Sequence, residues 1–100
     1  MTREPLPNRR QHEVIEFFHD FHKYTAGIGR YPDGRVAEVF IDSGKTGTGM
    51  QINGRDAAIA ISIGLQYGAP IEDIREALTR RGDGKAEGPL GALLDILEGE

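Results

Sequence analysis

The hundred residues contain no cysteine. That absence excludes disulfides, thiolate metal sites and thiol redox chemistry together, and it fits a reducing cytoplasm. No apolar run approaches the roughly 20 residues that a membrane-spanning helix requires. The opening stretch, Met1 to Arg10, is polar, carries Pro5 and Pro7, and has no apolar core of the kind a secretory signal needs. Nor is there an excess of positive charge. Twelve lysines and arginines stand against 16 aspartates and glutamates, for a formal net charge of −4, so nucleic acid is not an expected partner. Only Arg3, Arg9 and Arg10 gather, in what reads as a solvated tail. No internal repeat divides the chain, and its length is that of one domain, residues 1–100. A cytoplasmic domain with no membrane segment is expected.

What is present points to mixed structure. Apolar residues make up 38% of the chain, enough for one modest core. Residues 1–11 read as a flexible, extended arm. His12 to Phe18 fits a short helix or a strand, because periodicity over so few residues does not choose; strand is adopted for it and for Lys23 to Arg30, with a turn at His19-Asp20-Phe21. Tyr31-Pro32-Asp33-Gly34-Arg35 places Pro and Asp-Gly where a tight reversal wants them. Val36 to Asp42 is rich in β-branched and aromatic residues, so a hairpin follows. Along that strand, alternation sends Ala37, Val39 and Ile41 to the core and Val36, Glu38 and Phe40 to solvent. Arg30 or Arg35 would then sit near Glu38.

Helices come next. Ser43 to Gly49 is a Gly-rich connector, and Asn53 or Asp56 is placed to cap a helix over 55–68. Ala57 to Tyr67 is apolar nearly all round, which predicts a buried helix. Ile59, Ile63 and Leu65 should then be among the most buried residues, with Ala58, Ser62 and Gly64 allowing close approach to the sheet. Gly68 supplies a stop, and Pro70 opens a second helix over 70–81. Glu72 and Asp73 near its start and Arg80 and Arg81 at its end suit the helix dipole, and Ile71, Ile74 and Leu78 share a face. Residues 82–88 read as a Gly-rich linker. Pro89 to Leu97 then carries Leu90, Leu93, Leu94 and Leu97 at i, i+3, i+4 and i+7. So short a helix is unstable alone, and its stripe must pack on this domain or on a partner. The expected fold is α+β, a three-stranded antiparallel β-meander packed against two to three C-terminal helices.

Chemistry is harder to find. Gly44-Lys45-Thr46 has the end of a phosphate-binding P-loop, but the first glycine of that motif would fall on Val39, so nucleotide hydrolysis is not expected. A weaker reading survives, in which the Gly-rich loop, with Lys45, Thr46, Gly47 and Arg55, holds an anion or nucleotide through backbone amides. His12, His19 and His22 with Asp20 are legitimate metal ligands in type, yet their spacing matches no defined zinc signature. Glu38 in mid-strand would suit an acid catalyst only if burial raised its pKa, and alternation places it towards solvent. No Ser-His-Asp set or paired carboxylates stand out. No catalytic residue, metal or cofactor is therefore expected.

One continuous likeness goes further. Pro7-Asn8-Arg9-Arg10, then Gly34-Arg35 and Glu38-Val39-Phe40-Ile41-Asp42, and above all Ala58 to Gly68 (A-I-A-I-S-I-G-L-Q-Y-G) with Pro70-Ile71-Glu72, resemble the TSCPD domain of adenosylcobalamin-dependent (class II) ribonucleotide reductases. The resemblance covers roughly residues 7–80. Ser43–Gly54 and Gly82–Glu100 depart from the reductase pattern. The resemblance implies an accessory domain, related to a reductase but lacking its barrel and its radical and electron-carrying cysteines. Such a chain would not reduce ribonucleotides. It would act as a binding or regulatory module through protein contact, with a reductase, an unrelated protein or a second copy of itself as partner. The stripe Leu90, Leu93, Leu94 and Leu97 is the candidate interface, with a sheet edge as the competing surface. The alternative is a domain binding a small ligand or nucleic acid, at the 43–49 loop with Lys45 and Arg55 or at the Arg9/Arg10 arm.

Overall fold

A computed structural model describes residues 2–44 and 49–99, with Met50 described by its backbone alone. Three strands, β1 (Gln11–His19), β2 (His22–Arg30) and β3 (Val36–Asp42), form one antiparallel sheet in the order β1-β2-β3. Three helices follow: α1 (Gly49–Gln66), α2 (Ile71–Ala77) and α3 (Pro89–Leu97). This is the α+β meander with C-terminal helices that the pattern predicts. The first run is a strand along its whole length, paired with β2 from Gln11↔Arg30 to His19↔His22.

Both hairpins follow from their turn residues. Asp20 and Phe21 alone join β1 to β2, at φ 47° and 66°, so the loop is a mirror-image turn whose twist suits the flanking strands. Between β2 and β3, Tyr31 N–H donates to the Arg35 carbonyl at 2.9 Å. Asp33 Oδ1 accepts the Arg35 N–H at 3.1 Å, and Gly34 takes φ 94°, which a side chain would resist.

The core lies on one face of the sheet. Phe17, Tyr24, Ala26, Ile28 and Val39 meet Ala58, Ile61 and Leu65 of α1 and Leu93 of α3 there. Phe17 and Tyr24, opposite one another on β1 and β2, stack with ring centroids 5.6 Å apart.

The buried residues of α1 are Ala58, Ile61, Ser62, Leu65 and Gln66, spaced i, i+3, i+4, i+7 and i+8 as one helical face requires. Leu65 is buried as expected; Ile59 and Ile63 are not, and both lie exposed on the outer side. A helix apolar all round leaves hydrophobicity nothing to choose by. Hydrogen bonding decides instead. β3 is an edge strand, and its outward backbone groups need partners once α1 covers them. Ser62 Oγ accepts the Val39 N–H at 2.9 Å and donates to the Ala58 carbonyl at 2.8 Å. Gln66 Nε2 donates to the Ala37 carbonyl at 3.1 Å. Two polar side chains thus stand in for part of a fourth strand, which fixes the rotation of α1 about its axis.

Helix ends differ from expectation in two places. α1 begins at Gly49, so Asn53 and Asp56 lie within it rather than capping it. It ends as Gly68 predicts: at φ 99°, Gly68 N–H reaches the Leu65 carbonyl and Ala69 N–H the Gly64 carbonyl, each at 3.0 Å. α2 stops at Ala77, because Leu78 turns extended at ψ 151° and Arg80 forms a β-bridge with Ala86. Residues 82–88, the expected Gly-rich linker, accordingly form a tight return. Arg81 N–H donates to the Lys85 carbonyl at 2.8 Å and Glu87 N–H to the Thr79 carbonyl at 2.9 Å. The return brings α3 beside α2, where Arg75 and Arg80 both hold Asp95, at 2.6 and 2.7 Å. The Arg80 guanidinium, then that of Arg75, outweigh partial burial and lower the Asp95 pKa to about 2.

Candidate functional site

On the side of the sheet away from the helices, β1 presents His12, Val14, Glu16 and Phe18, and β3 presents Glu38, Phe40 and Asp42. Between them, Gly27 of β2 faces Val14 and Phe40, and Gly29 faces His12 and Glu38. The central strand is therefore the floor of a trough. A Cβ on Gly27 would meet the His12 ring at 3.1 Å and the Phe40 ring at 3.4 Å. One on Gly29 would lie 2.5 Å from Glu38 Cγ and 2.8 Å from Cδ, contacts that force a displacement. The rim is open and carries three exposed apolar side chains, Phe18 at 73%, Val14 at 64% and Phe40 at 48% exposure, beside the exposed Glu16 and Asp42.

One end of the trough is closed. Glu38 is buried although it lies on this face, which corrects the expectation that it meets solvent. Its partner is neither Arg30 nor Arg35. Arg30 bonds Glu13 at 2.9 Å, and Arg35 bonds Asp33 at 2.7 Å and Glu4 at 3.0 Å. Arg10 Nε instead donates to Glu38 Oε1 at 2.7 Å, while its Nη1 donates to the Pro7 carbonyl at 3.0 Å. The N-terminal residues are thus no solvated tail. Arg3 Nε donates to Gln66 Oε1 at 2.6 Å, Glu4 N–H to the Gln66 carbonyl at 2.7 Å, and the Tyr31 hydroxyl to the Glu4 carbonyl at 3.0 Å. Burial, helped by the Glu4 carboxylate, pushes the Tyr31 phenol pKa up. No local pattern announces the Arg10–Glu38 pair, because its members are 28 residues apart.

Of the residues singled out in the sequence, Lys45, Thr46 and Gly47 lie outside the described residues. Arg55 is exposed on α1. The leucine stripe falls where half of its logic leads. Leu93 and Leu94 are wholly buried in this chain's own core, and Leu90 and Leu97 pack partly buried against it, so the stripe is spent internally and is not a docking surface. The tight return at 82–88 is the reason, since it folds α3 back where a loose linker would have released it. The histidines are not assembled together. His12 lies opposite Gly29, while His19 pairs with His22 at the far end of the hairpin, where His19 Nε2 sits 2.9 Å from the Glu87 carbonyl. Among the described residues no three ligating side chains group as a metal site, and no helix is long and apolar enough to cross a membrane.

Comparison with known proteins gives this architecture a lineage. The chain is 46% identical over 77 residues to the vitamin B12-dependent ribonucleotide reductase of Agrobacterium fabrum, a stretch that is 77% of this chain and 6% of the relative. It is 39% identical over 77 residues to that of Bradyrhizobium diazoefficiens, again 77% of this chain and 6% of the relative. It is also 39% identical over 72 residues to that of Rhodopirellula baltica, covering 72% of this chain and 7% of the relative. The chain therefore matches only a small fraction of the length of these reductases. No solved structure matches it significantly. The family model of the TSCPD domain matches residues 3–98, nearly the whole of the fold just described, and the chain belongs to the TSCPD domain family.

Proposed function

We propose that the chain is a non-catalytic accessory module of the cytoplasm, docking on a vitamin B12-dependent ribonucleotide reductase through the open face of its sheet. The apolar side chains on the rim of the trough carry this reading. Val14 and Phe40 stand exposed on either side of Gly27, with Phe18 exposed further along the same face beyond the row of Glu16, Thr25 and Asp42, and exposed apolar surface rimmed by polar residues marks interaction sites. In the Agrobacterium and Bradyrhizobium relatives the matched stretch is 6% of a long polypeptide, so a covering neighbour is available there within the same chain. The absence of cysteine supports a non-catalytic role. The test is light scattering and titration of the purified chain against a reductase of this class from the same cells. A complex is expected, weakened at least tenfold by the pair Phe18→Glu and Phe40→Glu, a loss of about 1.4 kcal/mol or more. No complex at tens of micromolar (about −6 kcal/mol), a complex indifferent to these changes, or ribonucleotide reduction by the chain alone would overturn the proposal.

Self-association is a second reading, favoured by a different surface. Ile52, Ile59, Ile63 and Tyr67 lie exposed along α1, at i, i+7, i+11 and i+15, which is one line down a helix. A twofold pairing of such lines is the commonest closed arrangement of a soluble protein. Light scattering should then give a dimer that Ile59→Glu converts to a folded monomer.

A further inference from the structure

On the opposite side of the sheet from the trough, a cavity of about 400 Å³ opens where the end of the sheet meets the start of α3. Its apolar walls include Ile41, Leu78 and Pro89; Tyr24, Leu90 and Gly91 also line it. The start of α3 is uncapped. Its N-cap is Gly88, no side chain bonds to the first turn, and that turn holds no acidic residue. Glu87, the nearest carboxylate in sequence, lies 3.4 Å from Arg81 Nε instead. Pro89 has no N–H to give, and the Ala92 N–H is bonded to the Gly88 carbonyl. The amides of Leu90 and Gly91 remain, without a backbone or capping partner among the described residues.

Tyr24 is an independent observation. It is only 8% exposed, yet its hydroxyl makes no hydrogen bond among the described residues. Every fully buried side-chain oxygen or nitrogen of those residues does find a partner, so the hydroxyl keeps some contact with open space, and Tyr24 lines this cavity. A phenol whose ring is stacked into the core on Phe17 and whose oxygen lacks a partner is a donor held in place for something else.

We infer that this cavity binds a small oxyanion with an apolar or aromatic body, its oxygens accepting hydrogen bonds from the Leu90 and Gly91 amides and the Tyr24 hydroxyl. A helix N-terminus favours negative charge, and its amides point towards it. Among the described residues the lining supplies apolar contact from Ile41, Leu78 and Pro89 and neutral polar groups from Ser43, Asn53 and Thr79. The chemistry is shared by carboxylates and phosphate monoesters. This site is separate from the docking face, so neither reading depends on the other.

Amide-resolved NMR titrations with benzoate, phenyl phosphate, inorganic phosphate and benzyl alcohol test it. The two aromatic anions should shift the Leu90 and Gly91 amides most, with the tighter of the two naming the headgroup; benzyl alcohol should shift them far less. Tyr24→Phe, which keeps the ring and the fold, should weaken binding about fivefold or more, as loss of a hydrogen bond to a charged acceptor does. Ile41→Phe, which narrows the cavity and leaves all three donors, should weaken the aromatic anions and spare inorganic phosphate. The inference is overturned if neither aromatic anion moves Leu90 or Gly91 by about 10 mM, beyond the weakest specific range. It is equally overturned if Tyr24→Phe binds as well as the parent with an intact amide spectrum, or if inorganic phosphate binds as tightly as phenyl phosphate.

Discussion

The two faces of one sheet are built on different rules. The closed face holds Ala26, Ile28, Ala37 and Val39, all fully buried, against helices whose polar groups complete the β3 edge. The open face pairs bulky side chains with glycines, so that Phe40 and the His12 ring lean over Gly27 and Glu38 over Gly29. On the first, burial is specified by which helix side chain can satisfy the backbone. On the second, shape is specified by what the central strand leaves out. The difference teaches that apolar content alone marks neither face: Phe18 and Ile63 are exposed, and Ser62 and Gln66 are buried.

The largest effects should follow that division. Leu94→Ala and Ile28→Ala empty wholly buried sites, and each should cost about 2–5 kcal/mol in urea unfolding, the usual range for core truncations. Phe18→Ala and Ile63→Ala remove exposed groups and should each cost less than about 1 kcal/mol. An Ile63→Ala protein as damaged as Leu94→Ala would mean that α1 is turned the other way. On the open face, Gly29→Ala drives a methyl into Glu38 and should cost roughly 1–3 kcal/mol, as overpacking does. Much of that cost should vanish in a Glu38→Ala background, where the obstructing atoms are gone; strictly additive changes would break the trough geometry.

A third test lies in acid. Asp95 has a folded pKa of about 2, below the unfolded value of about 3.9. A group depressed on folding adds stability that is fully present above its unfolded pKa and lost as pH falls through the folded one. Stability should therefore decline between about pH 4 and pH 2 as the grip of Arg75 and Arg80 on α3 is released. Asp95→Asn should lower stability at neutral pH by roughly 1–3 kcal/mol, the usual cost of unmaking a charge-assisted, partly buried bond. It should also flatten that acid limb. An unchanged limb would move the acid sensitivity to other carboxylates.

Much of the fold was legible because its signals are local. Alternation located β3, the Pro-Asp-Gly turn located its hairpin, and leucine spacing located α3 with both ends. The failures share a cause, in that each was settled by a partner outside the run of residues that carried the local pattern. Ser62 and Gln66, not the isoleucines, orient α1 because β3 needs hydrogen bonds there. Glu38 is buried because Arg10 reaches over from the arm. α2 ends early because Arg80 pairs with Ala86. The candidate site was the least legible part. Gly27 and Gly29 look merely unfavourable in a strand until the register sets large side chains on both sides of them. The leucine stripe needs cover by its spacing alone, but only the tight return at 82–88 shows that the cover is the chain's own core.

The smallest effect expected is the one that ties stability to the open face. Phe21 is fully exposed at the tip of the β1–β2 hairpin and sits at φ 66°. Left-handed backbone costs an ordinary residue on the order of 1 kcal/mol, and the second position of this turn type favours glycine. Its neighbour Asp20, at φ 47°, is better suited, being short and polar, and its carboxylate is held by Arg81, which lowers its pKa. Nothing in the chain's own packing therefore calls for phenylalanine at position 21. Phe21→Gly should relieve the backbone, offset in part by the greater freedom of glycine in the unfolded chain, for a net gain of a few tenths of a kcal/mol. Phe21→Ala keeps the strain and should gain nothing, which separates backbone relief from simple removal of the ring. If the tip belongs to the docking surface, Phe21→Gly should also weaken the reductase complex while the chain itself becomes no less stable. A Phe21→Gly protein destabilised by more than about 1 kcal/mol would show instead that the ring packs within the chain, and would detach the hairpin tip from the open face.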